Sequence, residues 1–164
     1  MKIDMLDLRK SDDRKIFNKL QPIINENLVS NGGTLRQAKL LEEPYEWTHL
    51  FLVKDGEKIV GFAILRYSSY DQHSTGYGEY YYISNIVFLK KYQGKGYGTE
   101  LLKTILETIE DLPVVASVLE NNERSLRLFI KEMEVYNKHG KYYRFMDEKS
   151  YKLRDETISG GYRV

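Results

Sequence analysis

The feature that most constrains this sequence is a run of glycines at alternate positions, set between a strand-like and a helix-like segment. Residues 80–102 read YYYISNIVFLKKYQGKGYGTELL. The first part is rich in Tyr, Ile and Val, the composition of a strand. The last part opens a helix that carries Leu101, Leu102, Ile105, Leu106 and Ile109 on one face. Gly94, Gly96 and Gly98 stand between them. Glycines there leave backbone N–H groups open to close approach. The helix that follows directs its own unpaired N–H groups and positive dipole end at the same place. Such a turn is a cradle for phosphate or pyrophosphate, and Lys95 adds charge to it. The spacing excludes a nucleoside triphosphate P-loop, because no Lys stands directly before Thr99. It also excludes the dinucleotide GxGxxG fingerprint, because Gly94-x-Gly96-x-Gly98 is GxGxG.

The rest of the chain supplies a sheet and helices around this turn. Lys2–Leu8 alternates as a strand, and Ser11-Asp12-Asp13 starts a helix with a hydroxyl cap and two acids in its first turn. Pro22 predicts a break or kink, with Ile23, Ile24 and Leu28 in a second short helix that Asn31-Gly32-Gly33 ends. Thr34–Glu46 is ambiguous between a short helix and a covering loop. His49–Lys54 and Lys58–Ser68 are strands joined by Asp55-Gly56, a strong hairpin signal. Tyr70–Gly78 is a polar loop, Glu79–Leu89 the longest strand, and Pro113–Leu119 a buried strand. Asn121 or Asn122 caps a helix with Leu126, Phe129, Ile130 and Met133 on one face. Val135–Lys138 and Tyr142–Met146 close the series as strands. This order predicts an α+β domain, α/β-like in its second half, over residues 1–146. Residues 147–164 are polar, end near Ser159-Gly160-Gly161, and read as a tail.

Gln93, Gly96 and Gly98 fit the pattern Q-x-x-G-x-G, and here the chain resembles the GNAT superfamily of N-acetyltransferases. The resemblance extends to a hydrophobic strand before the signature, Ile86-Val87-Phe88, and to an Asn followed three residues later by Ser in a helix, Asn122 and Ser125. It covers roughly residues 2–146. It implies a mixed, mainly antiparallel sheet splayed at a bulge and flanked by helices, with acetyl-CoA as co-substrate and no metal. The cofactor side would comprise Ile86, Val87, Phe88, Gln93, Gly94, Lys95, Gly96, Tyr97, Gly98, Thr99, Asn122, Ser125 and Phe129. Family members often carry Tyr where this chain has Phe129, placed to protonate the leaving thiolate. Tyr136, Tyr142, Tyr143 or water could substitute, and a thiol of pKa about 8.5 leaves tolerably without an acid.

The same resemblance implies direct transfer of acetyl to an amine, with a base taking the amine proton and a backbone N–H near Ile86–Phe88 stabilising the oxyanion. No carboxylate lies between Tyr80 and Leu89. Counting back by two from Ile86 gives Ser84 and Tyr82, so the expected base is water held by either, with Glu79 as the ionisable candidate. The acceptor is a small-molecule or peptide amine, and a homodimer is compatible with the reading. A non-catalytic acyl-CoA-binding module of the same fold is the alternative.

Composition narrows the function further. The chain's 164 residues include 25 basic and 24 acidic ones, too balanced for a protein built to coat nucleic acid. It has no cysteine, which excludes a disulfide framework, a thiolate metal site and a cysteine nucleophile. His49, His73 and His139 have no metal-ligand spacing and read as surface or pairing residues. MKIDMLDLRKSDDRK lacks an apolar core, and no run approaches the ~20 residues of a membrane helix. The expectation is a cytoplasmic domain that binds neither membrane nor nucleic acid.

Overall fold

The computed structural model describes residues 1–30 and 47–161, with side chains described within 1–26 and 47–154. The Asn31-Gly32-Gly33 stop and the ambiguous Thr34–Glu46 segment lie outside the described residues. The strands are β1 (Lys2–Asp7), β2 (Trp47–Asp55), β3 (Lys58–Ser68), β4 (Tyr80–Phe88), β5 (Val114–Leu119), β6 (Glu134–His139) and β7 (Tyr142–Met146). They form one mixed sheet in the order β1-β2-β3-β4-β5-β7-β6, with β4 and β5 parallel. The described helices are α1 (Ser11–Ser30), α2 (Tyr97–Thr108), α3 (Glu123–Glu132) and α4 (Glu148–Gly161). The predicted mixed α+β class is what the chain adopts. Contacts gather the chain into two units, residues 1–67 with 84–105 and residues 68–83 with 106–164.

In the first unit β2 pairs antiparallel with both β1 and β3. Leu50–Val53 and Phe62–Leu65 are fully buried, the near-continuous apolar runs of strands covered on both faces. Gly61 shows how closely β3 is approached by the end of β4. A Cβ there would lie 2.6 Å from the Phe88 ring and 2.8 Å from the Val87 carbonyl oxygen. Leu89 N donates to Val60 O in the same place, at 3.0 Å. Helix α1 runs through Pro22 without a break, which corrects the expectation of two helices. Proline removes one helical hydrogen bond. Phe17 and Ile24, two turns apart on either side of it, are nonetheless both buried. Burial of one continuous stripe outweighs the local penalty.

In the second unit β5 pairs parallel with β4 at Tyr81–Val114 and Tyr82–Val115, and antiparallel with β7 along its length. β6 and β7 form a hairpin that turns at Gly140, φ +57°. Asn122 Oδ1 accepts from Ser125 N at 3.2 Å, so Asn122 is the N-cap of α3 as predicted. Phe129 and Met133 of this region are buried, whereas Ile130, expected on the same face, is 61% exposed.

Helix α4 is the larger departure from the sequence reading, which had a polar tail from residue 147. Asp147 caps it. Its carboxylate accepts from Ser150 N at 3.0 Å and from Val114 N at 2.9 Å, and its own N–H donates to Val114 O. Tyr151 packs against the buried cluster of Tyr80, Val115 and Met146, and Tyr77 donates its hydroxyl proton to Ser150 O at 2.7 Å. Ending the chain after Lys149 should therefore lower Tm by about 4–8 °C, taking about 2 kcal/mol for the lost packing and hydrogen bond. An unchanged Tm in a thermal melt would show that these contacts contribute nothing.

Candidate active site

Within the first unit the chain leaves β4 through a 3-10 turn, Lys90–Tyr92, and enters α2 at Tyr97. Tyr92 is buried and anchors the turn by donating to Asp55 Oδ2 at 3.0 Å. That hydrogen bond to a carboxylate raises the Tyr92 phenol above its ordinary value. Gln93 is extended, and its Nε2 donates to Phe88 O at 3.0 Å, closing the loop on the end of the strand. Gly94 (φ +73°) and Gly96 (φ +84°) follow in the left-handed region. No atom lies within 4 Å of where a Cβ would stand on either.

Thus glycine is needed at both positions for backbone conformation, and the space beside them is open. The helix begins with Glu100 N donating to Gly96 O at 3.2 Å. The amides of Tyr97, Gly98 and Thr99 therefore stand at the end of the helix that precedes its hydrogen-bond ladder. Lys95 is exposed, with Nζ 5.9 Å from the Tyr92 ring centroid. Backbone amides at a helix start, the helix dipole and a lysine are together chemically suited to an anion.

The strand residues before the cradle divide by burial. Val87 and Phe88 are buried, and Ile86 is half-buried. The hydroxyl oxygen of Ser84 is buried and has no hydrogen-bond partner, so it retains the capacity to bind one.

The second unit contains the other predicted residues. Tyr82 is half-buried, and its ring stacks on His73 at 4.5 Å between centroids and 13° between planes. Glu79 is exposed just before β4. Tyr81 points the opposite way along the pleat and donates to Asp111 Oδ2 at 2.7 Å. Asn122 commits its Oδ1 to the α3 cap, and Ser125 is half-buried in the first turn. Phe129 is buried with its ring 5.5 Å from that of Phe145.

The sequence reading passed over His73 as a surface or pairing residue. Its ring contacts Tyr80 and Tyr82 of β4, and its carbonyl accepts from Tyr136 and Arg144. Those last two partners lie 63 and 71 residues away, so only the alternation of Tyr80 and Tyr82 gave any local signal. Tyr136 lies beneath the Arg154 guanidinium, whose Cζ is 5.5 Å from the ring centroid. Burial pushes the Tyr136 phenol far above its ordinary value, and Arg144 opposes the shift only partly.

The sequence of residues 16–134 matches the model of the acetyltransferase (GNAT) family. The chain belongs to that family. It is an acetyltransferase in a fold shared with many solved structures. PH1933 from Pyrococcus horikoshii is 28% identical, with 89% of this chain and 98% of that one aligned at a TM-score of 0.54. An N-acetyltransferase from Staphylococcus aureus is 17% identical over 87% and 99% of the two chains, with a TM-score of 0.55. NAA60 of Arabidopsis thaliana, solved in complex with acetyl-CoA, is 14% identical over 88% and 98%, with a TM-score of 0.50. No curated protein sequence matches the chain. Among the described residues no helix is long and apolar enough to cross a membrane, and no cluster of His, Asp and Glu could hold a metal ion.

The raised Tyr136 value has a consequence for alkaline stability. An unfolded tyrosine ionises near ~10, whereas the folded phenol stays neutral above that. This acetyltransferase should keep the Tyr136 contribution below about pH 10 and lose it as the pH rises towards the folded value. Tm followed against pH should fall less steeply in Tyr136→Phe than in the wild type above about pH 10. Parallel curves would place the shifted phenol elsewhere.

Proposed function

We propose that this protein transfers the acetyl group of acetyl-CoA to a primary amine of a small molecule or a peptide by direct attack. The observation that carries the reading is the turn from Gln93 to Thr99. Two left-handed glycines open onto unoccupied space at the start of a helix, in a chain of the GNAT family. That arrangement suits a pyrophosphate, with Gly94, Gly96 and the amides of Tyr97, Gly98 and Thr99 as donors and Lys95 as counter-charge. Gln93 supports it from behind by holding the loop to Phe88. The backbone of Ile86–Phe88 is assigned to the pantetheine arm and the oxyanion, Asn122 and Ser125 to the cofactor side, and Phe129 to the neighbourhood of the sulfur.

The chemistry needs three things from the chain. The amine must lose a proton before its lone pair can attack. The thioester carbonyl must gain negative charge next to a fixed donor. The thiolate must depart, and at pKa about 8.5 it does so without an obligatory acid, consistent with phenylalanine at residue 129. Tyr82 and Ser84 are assigned to hold the water that accepts the amine proton, and Glu79 to the ionisable role at the head of the strand. The unpartnered Ser84 hydroxyl supports this assignment, because a water there would satisfy it.

Acetyl-CoA at a hundredfold excess over its Kd should stabilise the protein by about 2.7 kcal/mol. Gly96→Asp should abolish the shift, because the side chain forces an unfavourable φ and sets a negative charge in the cradle. Equal shifts in both proteins would place the phosphate site elsewhere. Release of CoA across a panel of amines then identifies the acceptor class, and stabilisation without release on any amine would leave an acyl-CoA binder.

A further inference from the structure

Two arginines converge on one phenol in the second unit. Arg144 of β7 donates from Nη1 to His73 O at 3.1 Å, and Tyr136 of β6 donates to the same carbonyl at 2.8 Å. The two side chains therefore meet at one oxygen of the β3–β4 loop. Arg154 reaches the same phenol from α4, with its Cζ 5.5 Å from the Tyr136 ring centroid. Its Nε, Cγ and Cδ are the atoms nearest to where a Cβ of Gly76 would stand, at 3.2–3.6 Å, and Gly76 has φ +85°. Glycine at residue 76 thus lets the loop turn and leaves the arginine room beside it. All of these residues belong to the one unit.

The two cations have no carboxylate partner. Among the described residues, neither Arg144 nor Arg154 forms an ion pair. Arg154 Nε is buried and has no hydrogen-bond partner, while the side chain as a whole is only half-buried. A buried donor on a charged group is costly without an acceptor, and it retains the capacity to bind one. The Tyr136 ring offsets part of that cost. Asp71 is the carboxylate whose field reaches the Tyr136 phenol together with the two arginines. Its oxygens already accept from Thr75 N, Thr75 Oγ1 and Gly76 N at 2.7–2.8 Å. Asp147, whose field reaches Tyr77 as that of Arg154 does, is spent on Val114 N and Ser150 N. The neighbouring acids are thus held by amides and a hydroxyl rather than by guanidinium.

We infer that Arg144 and Arg154, gathered around Tyr136, form a binding site for the carboxylate of a small acid or of a peptide C-terminus. Each guanidinium presents a planar fork of N–H donors that matches the two oxygens of a carboxylate. Two cations against Asp71 leave one positive charge, which suits a carboxylate monoanion better than a phosphate dianion. Tyr136 holds Arg154 on its ring, and its hydroxyl stays on the loop. The site uses none of the groups assigned to acetyl transfer, so it stands or falls apart from that reading.

The test is NMR of the arginine Nε–H groups in the full chain. Sodium propionate, sodium phosphate and a short peptide with a free or an amidated C-terminus are titrated in turn, each against sodium chloride at the same ionic strength. Propionate should shift the Arg144 and Arg154 resonances along a saturable curve, and phosphate should bind about tenfold more weakly. The free-acid peptide should bind and its amide should not. Binding tighter than propionate identifies a peptide C-terminus as the source, and equal binding identifies a small acid. Arg154→Lys keeps the charge but removes the Nε–H, and should weaken propionate binding about tenfold, followed at Arg144. The wild-type titration does not depend on how any variant folds. Resonances that follow propionate no further than chloride, phosphate bound as tightly as propionate, equal response to the free and amidated peptides, or undiminished binding in Arg154→Lys would each overturn the inference.

Discussion

The backbone between Phe88 and Glu100 must change from strand to helix in a few residues. Two left-handed glycines make that possible, and a side-chain amide makes it rigid. Gly94 and Gly96 adopt φ values that an L side chain takes only at a cost of about 1–2 kcal/mol each. The hydrogen bond from Gln93 Nε2 to Phe88 O fixes where the loop starts, and Tyr92 on Asp55 fixes its depth. The first turn of α2 then begins where the loop delivers it. Its buried Leu101, Leu102 and Ile105 hold the helix against the core, which fixes where the amides at its start stand.

The second unit follows a different principle. It concentrates phenols rather than backbone amides. Tyr77, Tyr82, Tyr136 and Tyr151 pack around Tyr80, Val115 and Met146. Tyr77 and Tyr136 each spend a hydroxyl on a backbone carbonyl. Buried phenols satisfied in this way contribute apolar area and a fixed direction at once. Such a cluster orients the loop that contains His73, and it takes five of the chain's fourteen tyrosines.

Features specified by near neighbours were legible in the sequence. Alternate glycines between a strand and an amphipathic helix, Asp55-Gly56 between two apolar runs, and Asn122 three residues before Ser125 all appear where local rules put them. Features decided by distant packing were not. Pro22 ends a helix on local grounds, and only burial of Phe17 and Ile24 along one stripe keeps α1 continuous. Asp147-Glu148 was a readable helix start, but the polar residues after it concealed that Tyr151 and Ser150 have partners in the fold. Ile130 fits the helical period and yet faces outward, because the apolar stripe of α3 is only as wide as Phe129 and Met133. His73 has no sequence signal of its own, since its anchors Tyr136 and Arg144 come from the other end of the chain.

We propose the amides from Lys95 to Thr99 as the anion site of an acetyl-CoA-dependent enzyme. Amide hydrogen exchange, measured residue by residue with and without acetyl-CoA, tests it most directly. Binding should bring strong protection at Lys95 through Thr99, with the centre of α1 unchanged. Binding of acetyl-CoA that left those amides exchanging at their unliganded rates would contradict it.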